Sequence, residues 1–265
     1  APFDSHTVTL IKAAGFTLLG KSNAPELGWA LACESRLFGT VRNPWDISRT
    51  PGGSSGGAAA AVAARVLPIA EASDGGGSIR VPASHSGLVG LKPGRGRVSN
   101  APAAVDFWYG GAVFLCLSRS VRDTAQYLDV VNGSLPGEPY IAPKPAVSFL
   151  TEAGTLPGNL KIALVGESPD GCTPLDHEVT DALQATGKLL VDLGHTVEEQ
   201  PIPYDYWPLM AAYMRITAVQ TAGWIDAMGT FVGRAPKEDE LAPLYVSMME
   251  HGRGISGVEH SNDVE

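Results

Sequence analysis

Two glycine- and serine-rich segments hold the residues of this chain that are best suited to chemistry. The first reads Pro51-Gly-Gly-Ser-Ser-Gly-Gly57 and the second reads Ser73-Asp-Gly-Gly-Gly-Ser-Ile-Arg80. An alanine-rich apolar run from Gly56 to Ala70 lies between them and predicts a buried helix. Flexible linkers also combine glycine with serine, but a buried helix does not interrupt them. The two segments therefore predict a functional site and not a flexible linker.

Three consecutive glycines precede the serine of the second segment. Because glycine adopts left-handed conformations at little steric cost, Gly75, Gly76 and Gly77 can turn several N–H groups toward one point. Such a nest binds an anion, and here it lies beside the hydroxyl of Ser78. For acyl transfer this supplies an oxyanion hole next to a nucleophile, and losing one such donor lowers the rate about 100- to 1,000-fold.

A serine nucleophile also needs a base, because its hydroxyl is weakly nucleophilic at its ordinary pKa. The six histidines stand in no motif that singles one out, and the sequence has no Gly-x-Ser-x-Gly elbow. His85, seven residues after Ser78, is the nearest candidate. The other arrangement is Ser-Ser-Lys, in which a serine near Ser54 relays the proton to an unprotonated lysine in a dry pocket. The residues alone do not decide between a histidine base and a lysine base.

The two segments together resemble the signature of the amidase signature family. The resemblance is carried by Gly52-Gly-Ser-Ser-Gly-Gly57, Asp74-Gly-Gly-Gly-Ser-Ile-Arg80 and Gly90-Leu-Lys-Pro93, with 24 positions separating Ser54 from Ser78. Further matches are Gly20-Lys-Ser-Asn23, Asn43-Pro-Trp45 and Leu117-Ser-Arg-Ser-Val-Arg-Asp123. Residues 1–199 carry the resemblance well and the remainder carries it more loosely.

The resemblance implies a role for each residue of the two segments. Ser78 is then the acylated nucleophile, and Ser54 is the proton relay, held by a cis peptide bond after Gly53. The implied oxyanion hole consists of the backbone N–H groups of Gly75, Gly76, Gly77 and Ser78.

Two residues beside these have supporting roles by the same resemblance. Ser55 bonds within the site and Arg80 braces the glycine loop, with a loop serine and an ordinary ion pair as the alternative for these two. The implied reaction is hydrolysis of a small-molecule carboxamide through an acyl-enzyme, without metal or cofactor.

The base implied by the resemblance is a lysine upstream of the Gly20–Asn23 motif, and no residue of this chain takes that place. Lys21 matches a different family lysine, and Lys92 matches the structural lysine of Gly-Leu-Lys-Pro. The chain is therefore expected to be a fragment that lacks its base and its C-terminal part, and to be inactive alone. The polar residues 254–265 are expected to form no closing element.

Two other functions stay open within the resemblance. Amidotransferase subunits release ammonia from glutamine for a partner enzyme, but they typically carry glutamine where this chain has Val81. A catalytically silent binding protein follows if the missing lysine is an evolved loss.

A nucleotide site is disfavoured although Gly15–Ser22 matches the P-loop pattern. A predicted helix precedes the pattern, and its interior, Phe16–Leu19, reads as a buried strand.

Composition narrows the class of partner. The net charge of −9 opposes a nucleic-acid or anionic-membrane surface, since phosphates bind basic patches. A small-molecule amide is the expected partner, and a homo-oligomer is also open. Three cysteines far apart predict neither a disulfide framework nor a metal site, and they favour a reducing compartment, the cytoplasm.

The predicted elements around these segments alternate helix and strand. A helix over residues 4–14 precedes the Phe16–Leu19 strand, and residues 161–199 read as strand, helix and strand. The class is α/β, and the resemblance implies a mixed sheet flanked by helices. The predicted domains are a signature core at 1–135, a Pro/Gly-rich crossing at 136–158, and a continuation of the same domain at 159–265.

Overall fold

Helices and strands alternate along the chain in the computed structural model, which describes residues 3–99, 101–102, 105–237 and 239–265. The strands are β1 Glu34–Ser35, β2 Gly39–Thr40, β3 Ile69–Asp74, β4 Val89–Gly90, β5 Val113–Ser118, β6 Lys161–Leu164 and β7 Thr196–Glu199. The helices are α1 His6–Ala13, α2 Gly56–Ala63, α3 Arg80–Ser86, α4 Val121–Val131, α5 Phe149–Ala153, α6 His177–Asp192, α7 Tyr206–Val232, α8 Pro243–Gly254 and α9 Gly257–Val264. The α/β class is confirmed.

The chain divides into two compact units, residues 1–155 and 156–265. The predicted assignment of residues 159–265 to the same domain as the signature core stays a prediction. Among the helices that the structure describes, none is long and apolar enough to cross a bilayer.

A three-stranded antiparallel sheet forms the centre of the first unit, in the order β3-β5-β4. The central strand β5 carries Leu115 and Leu117, which are fully buried. Helices α2 and α4 pack on this sheet and supply core residues such as Ala59 and Val131. Strand β3 ends at Asp74, so the core positions the start of the second glycine-rich segment.

The second unit begins with a strand-helix-strand motif. Strands β6 and β7 pair in parallel, and α6 connects them, as the sequence predicts. The side chain of Asp176 caps α6 by accepting the N–H of Glu178. In the described residues the strands form three small sheets, two antiparallel and one parallel, so strand pairs of both directions are present.

One prediction of local structure is wrong because the segment has no strand to pair with. Phe16–Leu19 is not a strand in the structure, and Leu19 is 74% exposed. A strand is stabilised by pairing with a neighbour, and Phe16 instead packs edge-on against Tyr127 of α4. The residues after Gly20 also form no helix that could complete a phosphate cradle; only a 3-10 turn follows, at Glu26–Gly28.

Two other boundaries differ from prediction for local reasons. The buried helix expected over Gly56–Ala70 ends at Ala63, because Arg65 takes a left-handed conformation and Pro68 follows. At the other end of the chain, residues 257–264 form α9, which begins with a capping box between Ser256 and Glu259. The expectation of no closing element was therefore wrong, although the Ser-x-x-Glu pattern was present in the sequence.

Candidate active site

Ser78 lies in the turn that joins β3 to α3, and the buried carboxylate of Asp74 organises that turn. The carboxylate accepts the N–H groups of Gly77 at 2.8 Å and Ile79 at 3.2 Å. It also pairs with Arg80, whose Nε and Nη2 each lie 2.9 Å from a carboxylate oxygen. An ion pair thus joins the two ends of the glycine loop.

The charge on Asp74 depends on these donors. Burial by itself raises the pKa of the Asp74 carboxyl, but hydrogen bonds from Arg80 and from the Gly77 N–H outweigh it, so the pKa lies below its ordinary value. The group is therefore a carboxylate at neutral pH, and it holds the loop through charge-assisted hydrogen bonds.

The N–H groups of the nest differ in their availability. Gly77 takes φ = 124°, which favours glycine, and its N–H is already engaged by Asp74. Within the described residues, the N–H groups of Gly75, Gly76 and Ser78 have no acceptor. Of the four predicted oxyanion donors, three are thus free to bind an anion.

The segment predicted to carry the proton relay, residues 51–57, is called the relay segment, and the loop predicted to carry the nucleophile, residues 74–80, is called the nucleophile loop. The two lie directly against each other. The peptide bond between Gly53 and Ser54 is cis, as the resemblance implies. The N–H of Ser55 approaches the carbonyl of Ser78 at 3.4 Å. The Ser55 hydroxyl bonds to the N–H and carbonyl of Ser73, at 3.3 and 3.4 Å. Ser55 therefore ties the segment that carries Ser54 to the loop of Ser78.

Ser54 and Ser78 are both buried but keep their hydroxyls unengaged. Ser54 is 4% exposed and Ser78 is 8% exposed. Neither hydroxyl makes a hydrogen bond to another described residue. Each hydroxyl can therefore rotate toward a substrate or toward a proton acceptor.

Gly53 and Gly57 let the backbone of the relay segment come close to the backbone at Ala30 and Asn23. A Cβ on Gly53 would lie 2.7 Å from the carbonyl oxygen of Ala30, and a Cβ on Gly57 would lie 2.4 Å from backbone atoms of Asn23. The Gly57 N–H donates to the carbonyl of Asn23 at 3.1 Å. Asn23 thus packs on the first turn of α2 and Ala30 packs on Gly53, and a side chain does not fit at either contact.

Two tryptophans border the site. A Cβ on Gly75 would lie 2.4 Å from the ring of Trp108, so this ring packs on the first glycine of the nest. The rings of Trp108 and Trp29 meet edge to face, with centroids 4.7 Å apart. Gly28, which precedes Trp29, lies near the hydroxyl of Ser54, since its Cβ would be 3.8 Å from Oγ. An aromatic pair therefore adjoins both serine segments.

In the described residues the candidate bases make no hydrogen bond to Ser54 or Ser78. His85 is exposed in the last turn of α3, which is about 10 Å long. Lys21 is exposed, and Nζ of Lys92 donates to the carbonyl of Pro93. Across the part of the chain that the structure describes, no hydrogen bond joins a lysine to Ser54 or Ser78.

Cys33 and Cys116 are poorly suited to act as nucleophiles in this structure. Burial raises the pKa of the Cys33 thiol, and it raises the pKa of Cys116 to about 12, so both stay protonated. In the described ranges, His, Cys, Asp and Glu side chains do not gather in groups of three that could hold a metal ion.

Comparison with known proteins assigns the family. The Amidase family model matches residues 1–252, and the chain belongs to this family, the amidase signature enzymes. A 6-aminohexanoate-cyclic-dimer hydrolase from Pseudomonas sp. (strain NK87) is 38% identical over 97% of this chain and 53% of its own length.

Solved structures extend the similarity to the fold. A 6-aminohexanoate cyclic dimer hydrolase complexed with substrate is 36% identical, with a TM-score of 0.94 over 100% of this chain and 55% of that one. A bacterial aryl acylamidase of the amidase signature family is 28% identical, with a TM-score of 0.87 over 99% of this chain and 54% of that one. The chain spans about half the length of these relatives.

Sequence reasoning gave no role to Asp74 and did not connect Trp29 with Trp108. Asp74 stood at the start of the second motif, and an acidic residue before a glycine nest is a signal that could have been used. Trp29 and Trp108 lie far apart in the sequence, and no local pattern joins them. Only the folded chain brings them together.

Proposed function

We propose that the protein containing this chain hydrolyses a carboxamide of a small molecule through an acyl-enzyme on Ser78. The observation that carries the proposal is the contact between the two serine segments, with the Ser55 N–H 3.4 Å from the Ser78 carbonyl, beside three unengaged N–H groups. A nucleophile, a second hydroxyl and an oxyanion site are the parts that acyl transfer needs, apart from a base.

In the proposed reaction, Ser78 Oγ attacks the amide carbonyl carbon. Its proton passes to Ser54 Oγ while Ser54 gives its own proton to the base. The oxyanion that forms accepts hydrogen bonds from the N–H groups of Gly75 and Gly76, which are fixed before the substrate arrives. The base then protonates the leaving nitrogen through Ser54, the C–N bond breaks, and water cleaves the ester by the reverse sequence.

The base in this proposal is an unprotonated lysine. By family resemblance it is carried by a segment upstream of the Gly20–Asn23 motif. Because this chain spans about half the length of its relatives, hydrolysis is proposed for the whole protein. The chain alone is expected to be inactive.

The substrate we propose joins an amide to an apolar body. Trp29 and Trp108 present aromatic surface beside the nest, which suits a hydrocarbon or aryl group. The names of two relatives describe such compounds, a cyclic dimer of 6-aminohexanoate and aryl acylamides. We further propose a cytoplasmic location, since Cys33 and Cys116 are buried free thiols.

The two rival functions have less support. Val81 stands where the amidotransferase subunits typically carry glutamine, and the Ser78 loop retains the donors that a silent binding protein has no need of. Ammonia release that requires a co-purifying partner would favour the amidotransferase.

The proposal is tested by expressing the complete reading frame that contains this chain and treating it with a fluorophosphonate probe. We expect a single label on Ser78, identified by peptide mass spectrometry, and no label in Ser78→Ala. The variant Ser247→Ala, which changes an exposed serine of α8, serves as the matched control and should label normally. A label that persists in Ser78→Ala overturns the proposal.

A further inference from the structure

A loop that precedes the relay segment is tied to the last turn of α3 by one buried side chain. Asn43 is 5% exposed, and its Nδ2 donates to the carbonyls of His85 at 2.8 Å and Thr50 at 3.4 Å. Its Oδ1 accepts the N–H of Trp45 at 3.0 Å. Carbonyls in the last turn of a helix have no partner within the helix, so Asn43 satisfies one that would otherwise be unpaired.

Two further hydrogen bonds join the same elements. Nε1 of Trp45 donates to the Ser86 carbonyl at 2.9 Å, and the buried Ser86 hydroxyl donates to the Pro51 carbonyl at 3.3 Å. Gly52 packs on the side of α3, since its Cβ would lie 2.9 Å from Cα of Pro82. The backbone that leads to the relay serine thus lies along α3.

Helix α3 is therefore a shared support for both serines. It begins two residues after Ser78, and the segment before Ser54 is fastened to its side and its far end. Proton transfer between hydroxyls needs a separation of about 2.6 to 3.2 Å. A shift of the loop along the helix changes that separation directly, and a misplacement of about 1 Å can cost about 100-fold in rate.

We propose that Asn43 is a positioning residue for the proton relay. By clamping the loop over residues 43–51 to the last turn of α3, it sets the distance between Ser54 Oγ and Ser78 Oγ. This inference rests on the proposed function, because Asn43 acts only by positioning the proton relay and takes no part in the chemistry itself.

Three variants separate the clamp from general stability. Asn43→Asp keeps the acceptor for the Trp45 N–H but loses both donors to carbonyls. Trp45→Phe removes only the hydrogen bond to Ser86, and it serves if the Asn43 variant fails to fold. Ser48→Ala is the matched control, because Ser48 lies in the same loop and its hydroxyl donates only to Asp46.

The experiment measures fluorophosphonate labelling of the complete protein as a function of probe concentration. It yields the maximal labelling rate, the half-saturating probe concentration and the final labelled fraction. For Asn43→Asp we expect the maximal rate to fall about 10- to 100-fold, with the other two quantities within about twofold of wild type. Trp45→Phe should show a smaller fall in the same quantity, and Ser48→Ala should match wild type.

A purely structural role predicts a different pattern. If the Asn43→Asp and Trp45→Phe proteins label at the wild-type rate, or only the labelled fraction falls, the positioning role is overturned. An equal fall in Ser48→Ala also overturns it, because the effect then belongs to the loop as a whole. A wild-type protein that labels elsewhere than Ser78 refutes the proposed function itself, and this inference with it.

Discussion

The nucleophile loop and the relay segment are both rich in glycine and serine, but they are held in different ways. The hydrogen bonds that shape the nucleophile loop start from Asp74 and reach Gly77 and Arg80, three to six residues away. Those that hold the relay segment and the loop before it span 18 residues to Ser73, 35 to Ser86 and 42 to His85. One half of the site is thus organised locally, whereas the other depends on the fold.

The largest expected effect tests whether the relay segment takes part in the reaction. Ser54→Ala should slow fluorophosphonate labelling of Ser78 about 100- to 10,000-fold, because proton transfer loses its intermediate hydroxyl. Ser247→Ala, which changes an exposed serine of α8, should match wild type. Labelling kinetics of the complete protein measure both. If Ser54→Ala labels within twofold of wild type, the relay role is wrong and only the nucleophile loop is functional.

The next effect tests the local support of the nucleophile loop. Asp74→Asn should lower the free energy of unfolding by about 2 to 3 kcal/mol at pH 7, because charge-assisted hydrogen bonds are lost inside the protein. The folded-state pKa lies below the unfolded value, so this contribution is complete above the unfolded-state pKa of 3.8 and is lost as the pH falls through the folded-state pKa.

Urea unfolding at pH 7 and at pH 3 measures the difference between wild type and Asp74→Asn. The difference should be largest at pH 7 and shrink in acid. Asp170→Asn is a useful control, since Asp170 also accepts several hydrogen bonds but lies in an exposed turn, and its loss should cost less. A difference that is independent of pH would contradict the assignment of charge to Asp74.

The smallest effect tests the long-range support of the relay segment. Gly57→Ala places a Cβ 2.4 Å from the backbone of Asn23 and should destabilise the first unit by about 1 to 3 kcal/mol through overpacking. Gly223→Ala makes the same change in α7, where no described atom lies within 4 Å, and should stabilise its unit by up to about 1 kcal/mol. Thermal unfolding measures the change in stability of each variant. A change of the same sign in both would mean that the close approach at Gly57 does not affect stability.

Much of the first unit could be predicted because its signals are local. The Ser5 side chain accepts the Val8 N–H at the start of α1, as expected of a helix begun at Asp4 or Ser5. The Gly-Gly-Gly-Ser turn likewise forms a nest from consecutive residues. The engagement of the Gly77 N–H by Asp74 was not predicted, since the choice between a substrate and a side chain as acceptor depends on the exact path of the loop.

The sequence by itself determined the α/β class, the family and the two glycine- and serine-rich motifs, because periodicity and motif spacing follow from neighbouring residues. Tertiary structure alone decided which N–H groups stay available, which tryptophans border the site and how Asn43 reaches the end of α3. It also decided that Phe16–Leu19 is no strand. These features depend on contacts between residues far apart in the chain, and such contacts exist only once the backbone has folded.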